Sequence, residues 1–81
     1  MTVRMFTLST CGHCRAAKRF MEDHAVDFQF IDVDLLTGEE RKTTIEELTG
    51  YNPSRSFPTI LLGDSVIVGF NETKLREALG I

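Results

Sequence analysis

The 81-residue chain has no tryptophan, one tyrosine, two prolines and two cysteines. Two cysteines are too few for the disulfide framework with which small secreted domains replace a core. No apolar run approaches the roughly 20 residues a membrane-spanning helix needs. No charged start followed by an apolar stretch marks a secretory leader, since Thr2-Val3-Arg4-Met5-Phe6-Thr7-Leu8 already reads as a strand. The expected compartment is therefore the cytoplasm. Basic residues are also few: nine Lys and Arg stand against twelve Asp and Glu, a net charge of −3. They are scattered along the chain, which argues against nucleic acid as a partner. No repeat, low-complexity tract or linker interrupts residues 1–81, so a single domain and a monomer are expected, with a radius of gyration of about 12 Å.

The hydrophobic pattern gives the element order. Residues 3–8 and 27–33 read as strands, the second carrying Phe28, Phe30 and Ile31. Between them Cys14, Ala17, Phe20, Met21 and His24 recur at helical spacing, opposite Arg15, Lys18, Arg19 and Glu22. His24, in the last turn, is expected to pack and to meet the helix dipole. Strand, amphipathic helix and strand in succession imply a parallel pair with a crossover. Thr37 and Glu40 have capping-box spacing and predict a second helix through Ile45 and Leu48, stopped by Gly50. Residues 58–62 and 65–68 flank Gly63-Asp64, a hairpin signal. Asn71 is a suitable N-cap for a last helix with Leu75, Ala78 and Leu79 on its apolar stripe and Gly80 past its end. The predicted order is βαβαββα, an α/β fold.

The chemistry lies in Cys11-Gly12-His13-Cys14. Residues three apart on a helical turn have Cβ atoms about 5–6 Å apart, so a disulfide can form and open with little backbone movement. Cys11 falls just before the helix, where unpaired N–H groups and the dipole favour a thiolate; Cys14 lies on the core-facing stripe. This asymmetry predicts that Cys11 attacks and Cys14 resolves. A protonated His13 and the neighbouring Arg15 are expected to add positive potential at Cys11. A structural zinc site would need four ligands, and only His13 and His24 accompany the cysteines, so no metal is expected.

Taken with Arg55-Ser56-Phe57-Pro58 before the third strand and Gly69-Phe70 before the last helix, the cysteine turn resembles the glutaredoxin branch of the thioredoxin fold over the whole chain. The resemblance implies a four-stranded mixed sheet with helices on both faces, a cis Pro58 facing the cysteines, and a thiol-disulfide oxidoreductase activity with no bound cofactor. It implies that Phe57 offers its backbone to an extended substrate segment and that Gly69 lets substrate approach, with Arg55, Phe70 and Asn71 completing a substrate or glutathione surface. The external donor implied is glutathione or thioredoxin reductase with NADPH. Ser9-Thr10 stand where glutathione-using relatives commonly carry a Lys, and Phe70, Asn71 and Glu72 where they carry a small residue, a hydroxyl residue and an Asp. Phe70 is expected to narrow the approach to the last helix and Glu72 to repel a ligand carboxylate, while Arg55 favours one. The Gly-Phe pair is similar to that of redoxins that reduce ribonucleotide reductase and are recharged by thioredoxin reductase. A [2Fe-2S] cluster module, a more oxidising activity like that of disulfide isomerases, to which Gly12-His13 is similar, and an adaptor domain are the alternatives.

Overall fold

The computed structural model describes residues 2–81, in the order β1 (Val3–Thr7), α1 (Gly12–Asp23), β2 (Phe28–Asp32), a short 3-10 turn (Val33–Leu35), α2 (Gly38–Tyr51), β3 (Thr59–Leu62), β4 (Ser65–Val68) and α3 (Glu72–Leu79). The sheet order is β2-β1-β3-β4, with β1 parallel to β2 and antiparallel to β3, and β3 antiparallel to β4. This is the thioredoxin-like fold that the resemblance implies, and the radius of gyration is 12.1 Å.

Strand periodicity divides the core into two layers. Val3 and Met5 point to one face and pack with Ile60, Leu62 and Ile67 against Ala17, Phe20 and Met21 of α1 and Leu75 of α3. Phe6 and Leu61 point to the other, where Leu48 of α2 and Val33 of the 3-10 turn cover them. The apolar stripe of α2 is narrow: Leu48 is its one buried residue. The hairpin closes with Leu62 opposite Ser65, and Gly63 takes φ +58°. A positive φ at the first turn residue alone fits a II′ turn, whose first central position favours glycine.

Two helix signals resolve differently from the sequence pattern. Thr37 precedes α2 in extended conformation, but its side chain makes no capping bond. Gly38 enters the helix at φ +59°, which carries Thr37 out of line with the first turn, and the Arg41 N–H reaches the Thr37 carbonyl only at 3.4 Å. Gly50 does not stop the helix, which continues to Tyr51 and ends at Asn52, whose N–H donates to the Leu48 carbonyl at 2.7 Å. Strands β1, β2 and β3 are slightly shorter than their hydrophobic patterns while β4 matches its own, and Val33 leaves β2 to fill the α2 layer.

Helix α1 ends in a Schellman motif: Val26 N–H donates to the Met21 carbonyl and Ala25 N–H to the Glu22 carbonyl, with Ala25 at φ +53°. His24 packs on Phe20, with ring centroids 4.3 Å apart. A left-handed residue with a Cβ costs about 1–2 kcal/mol, partly offset by the greater freedom glycine has when unfolded. Ala25→Gly is therefore expected to stabilise the protein by about 0.5–1 kcal/mol in urea unfolding. A lower midpoint would show that the alanine methyl has a packing role there.

Candidate active site

The topology gathers the predicted residues at one end of the sheet. Strands β1, β2 and β4 end there and β3 begins there, because Thr7 pairs with Asp32, Phe6 with Thr59, and Thr59 with Val68. The cysteine turn follows β1, Pro58 immediately precedes β3, and Gly69 immediately follows β4. Residues far apart in sequence thus become neighbours through strand register.

Cys11 is the N-cap of α1, half-buried, with extended backbone, and its Sγ accepts the Cys14 N–H at 3.4 Å. Cys14, on the inner face of the first turn, is fully buried. Both are free thiols. The Cys14 thiol donates a hydrogen bond to the Cys11 sulfur, and this, with the Cys14 and His13 backbone N–H groups and the Arg15 charge, holds the Cys11 thiol below its ordinary range despite some burial. Burial first, then the interaction with Cys11, pushes Cys14 up to about 12. Of the two thiols, Cys11 therefore ionises first. His13 acts here through its main chain. Its side chain is exposed, as is Gly12.

Alkylation of the reduced protein at varied pH is expected to show a Cys11 midpoint below the free-cysteine value of about 8.5, with Cys14 labelled far more slowly because it is buried. Peptide mapping of the labelled protein distinguishes the two thiols. A midpoint at or above the free value would remove the electrostatic distinction between them.

The turn before Cys11 is fastened by a residue the sequence pattern did not single out. Asp34 accepts the Ser9 N–H at 2.8 Å and also the Ser9 hydroxyl. These two bonds, the hydroxyl first, hold the Asp34 carboxyl below its ordinary range. A second missed residue is Asn52, which is 5% exposed. Its Nδ2 donates to the Ser56 Oγ and the Thr59 Oγ1, both at 3.1 Å, and its Oδ1 accepts the Ser54 N–H at 3.1 Å. One amide thereby spans the segment that carries Arg55, Phe57 and Pro58. An Asn two residues past a glycine at a helix end was the available signal, since Asn side chains commonly bond the backbone just downstream.

The Phe57-Pro58 bond is cis, as the resemblance implies. Pro58 is buried and its carbonyl accepts the Gly69 N–H at 2.7 Å. Among the described residues no hydrogen bond uses the N–H or carbonyl of Phe57, whose half-buried side chain packs on the α2 layer. Gly69 has φ +82°, and a Cβ there would meet nothing within 4 Å. Glycine serves its backbone angle, and the space above it is open. Arg55 is exposed at φ +53°, its N–H bonded to the Asn52 carbonyl at 2.9 Å.

Two expectations about the last helix need correction. Phe70 does not stand across the approach to α3: its half-buried ring turns edge-on to Phe20, centroids 6.0 Å apart, and joins the core. Apolar burial outweighs an exposed position for a phenyl ring. Glu72 is paired with Arg76 one turn on, at 3.5 Å, so its charge is partly compensated. Asn71 is the N-cap of α3 and its Oδ1 takes the Lys74 N–H at 3.0 Å.

A glutaredoxin family model matches residues 3–67. The chain belongs to the glutaredoxin family. It is 31% identical over 77 residues to the glutaredoxin-like protein NrdH of Escherichia coli, covering 95% of this chain and 88% of that one. Among solved structures, the methanoredoxin of Methanosarcina acetivorans superposes with a TM-score of 0.93 at 44% identity, covering 99% of this chain and 85% of the other. The E. coli NrdH-redoxin, described as having a thioredoxin-like activity profile, superposes with a TM-score of 0.79 at 28% identity, covering 95% and 93%. This glutaredoxin-like protein is a thiol-disulfide oxidoreductase of NrdH type. No helix among the described residues is long and apolar enough to cross a membrane.

Proposed function

We propose that the protein is a dithiol electron carrier that reduces protein disulfides through a Cys11-Cys14 cycle. The observation that carries this reading is the asymmetry of the pair: a half-buried cysteine at a helix N-terminus with a lowered pKa, beside a buried thiol that ionises far less readily. The Cys11 thiolate attacks one sulfur of a substrate disulfide. The S–S bond breaks, a Cys11-substrate disulfide forms, and the other substrate sulfur leaves and takes up a proton. Cys14, deprotonated, then attacks the Cys11 sulfur; the protein disulfide forms and the second substrate thiol is released. Two electrons pass from the pair to the substrate.

The free Phe57 main chain supports a docking mode in which an extended substrate segment pairs with it as an added strand. Gly69, with open space above it, leaves room for that segment. Arg55 and Arg15 give this end of the molecule a positive rim. The natural substrate class is then a disulfide in an extended protein segment. Ribonucleotide reductase is the partner that the redoxin likeness suggests, with thioredoxin reductase and NADPH as the donor. The cycle is tested by mixing the reduced protein with a protein disulfide and weighing the product. Loss of two hydrogens and appearance of a disulfide-linked peptide pair containing Cys11 and Cys14 are expected. Substrate reduction with both cysteines still free would refute the cycle.

A further inference from the structure

The reading above, on which this inference rests, leaves one chemical difficulty. Cys14 must lose its proton to resolve the mixed disulfide, yet it is fully buried. Burial disfavours the thiolate. When Cys11 is bonded to substrate its charge is gone, and the resistance to ionisation that Cys11 imposes goes with it. The cost of burial remains. Something in the fold has to offset it.

One part-buried ion pair in the described chain is otherwise unemployed. Lys18 follows Cys14 by one helical turn, a spacing that places their Cβ atoms about 5–6 Å apart. Its Nζ is 3.2 Å from the Asp32 Oδ1, with side chains only 18% and 16% exposed. The ammonium also sits 3.8 Å from the centre of the Phe30 ring. Asp32 is fixed in turn by the Thr7 hydroxyl, which donates to the same oxygen at 2.6 Å. Thr7 ends β1, and the backbone N–H of the next residue, Leu8, bears on the Cys14 thiol. The pair therefore adjoins the resolving thiol through α1 on one side and β1 on the other. Part-buried ion pairs contribute little net stability, because desolvation offsets their attraction. A role beyond stability is the better account of a lysine held by a carboxylate and an aromatic face so close to the redox centre.

We propose that Lys18 is a positioning residue for the resolving step, its ammonium steadying the thiolate that Cys14 becomes, and that Asp32 holds Lys18 in place while moderating its field. The groups bearing on Cys14 are consistent with this. Cys11 lies beside it, Lys18 is on its own helix, and β1 contributes the uncharged Leu8 N–H; Asp32 of β2 acts through Lys18, and Arg15 bears on Cys11. Lys18 is a cation acting on the Cys14 thiol, and it favours ionisation. The proton lost by Cys14 goes to solvent and the departing substrate sulfur takes one up, so the step is balanced without a further reactant.

The two members of the pair should have opposite effects. Lys18→Met removes the cation and leaves the Asp32 carboxylate uncompensated, so Cys14 ionises less readily. Asp32→Asn leaves the cation unmoderated, so Cys14 ionises more readily. The aromatic disulfide known as Ellman's reagent separates the steps: one coloured thiolate is released when Cys11 attacks and a second when Cys14 resolves. The pH profile of the second release in stopped flow is the readout. Lys18→Met is expected to raise its midpoint by about one unit, a tenfold slower release near neutrality. Asp32→Asn is expected to lower the midpoint, and Lys18→Arg to leave it in place.

Midpoints that move in the same direction in Lys18→Met and Asp32→Asn, as loss of a merely structural contact would produce, or that do not move, would overturn the proposal. Should Lys18→Met fail to fold, Asp32→Asn and Lys18→Arg decide it: an unchanged or raised midpoint in Asp32→Asn counts against it. Cys14→Ser, run alongside, isolates the underlying reading. A second release in that variant would refute the role of Cys14 itself, whatever Lys18 does.

Discussion

Replacing Cys14 by Ser is expected to stall the protein with its substrate attached through Cys11. Attack needs only the Cys11 thiolate, and the serine hydroxyl can still donate to the Cys11 sulfur in place of the thiol that now does so. Resolution needs a second sulfur, and none remains. A thiol held in attacking geometry acts at an effective concentration that reaches about 10⁵ M in well-oriented intramolecular reactions, which millimolar external thiol cannot match. Turnover of a protein disulfide should therefore fall about a hundredfold or more, while a mixed disulfide accumulates on a non-reducing gel. Cys11→Ser should accumulate none. Cys14→Ala offers a finer comparison: it removes the donor as well as the sulfur, so its Cys11 alkylation midpoint should lie above that of Cys14→Ser. Normal turnover in Cys14→Ser would show that a single cysteine suffices and that the chain works by a monothiol route.

Thioredoxin reductase with NADPH is expected to reduce the oxidised protein much faster than millimolar glutathione does. Neither steric closure by Phe70 nor repulsion by Glu72 is the cause. Phe70 is folded onto Phe20, and Glu72 is paired with Arg76. The donor groups still disfavour glutathione. Ser9 and Thr10 precede the cysteine turn where glutathione-using relatives commonly present a lysine, and Ser9 is already engaged by Asp34. One N–H at the start of α3 is taken by Asn71. Losing a single hydrogen bond to a charged group costs about 1.5–3 kcal/mol, a factor of about 10–100 in affinity. Arg55, exposed beside Phe57, retains one cation for a carboxylate and keeps the preference finite. The measurement is the initial rate of thiol appearance with each donor. Saturable reduction by glutathione with no response to the reductase would place the chain with the glutathione-dependent glutaredoxins.

The sequence alone determined whatever depends on neighbours within a few residues. The helical recurrence of Cys14, Ala17, Phe20 and Met21 became the buried face of α1, and those four are its buried residues. The position of Cys11 before that stripe became an N-cap. The Gly63-Asp64 pair became a two-residue hairpin, Gly80 became a left-handed helix end at φ 72°, and Asn71 became the cap of α3. Periodicity, capping and turn chemistry act over one or two turns, so their record in the sequence is direct. Even here Thr37 and Gly50 showed that a matching spacing is insufficient when one intervening backbone angle changes sign or the helix runs past the glycine to a later residue.

The tertiary structure decided which distant residues act on the pair. Asp34 reaches Ser9 across 25 residues, Lys18 reaches Asp32 across 14, and Thr7 reaches Asp32 across 25. Each contact follows from the parallel register of β1 and β2, which brings their C-terminal ends together. The destination of Phe70 was settled in the same way, since its place beside Phe20 depends on α1 and α3 sharing one face of the sheet. Polar side chains such as Asp32, Lys18 and Asn52 carry no periodic signature, because the energy of a hydrogen bond or ion pair depends on the partner and its solvation. Those are set only when the strands pair and water leaves.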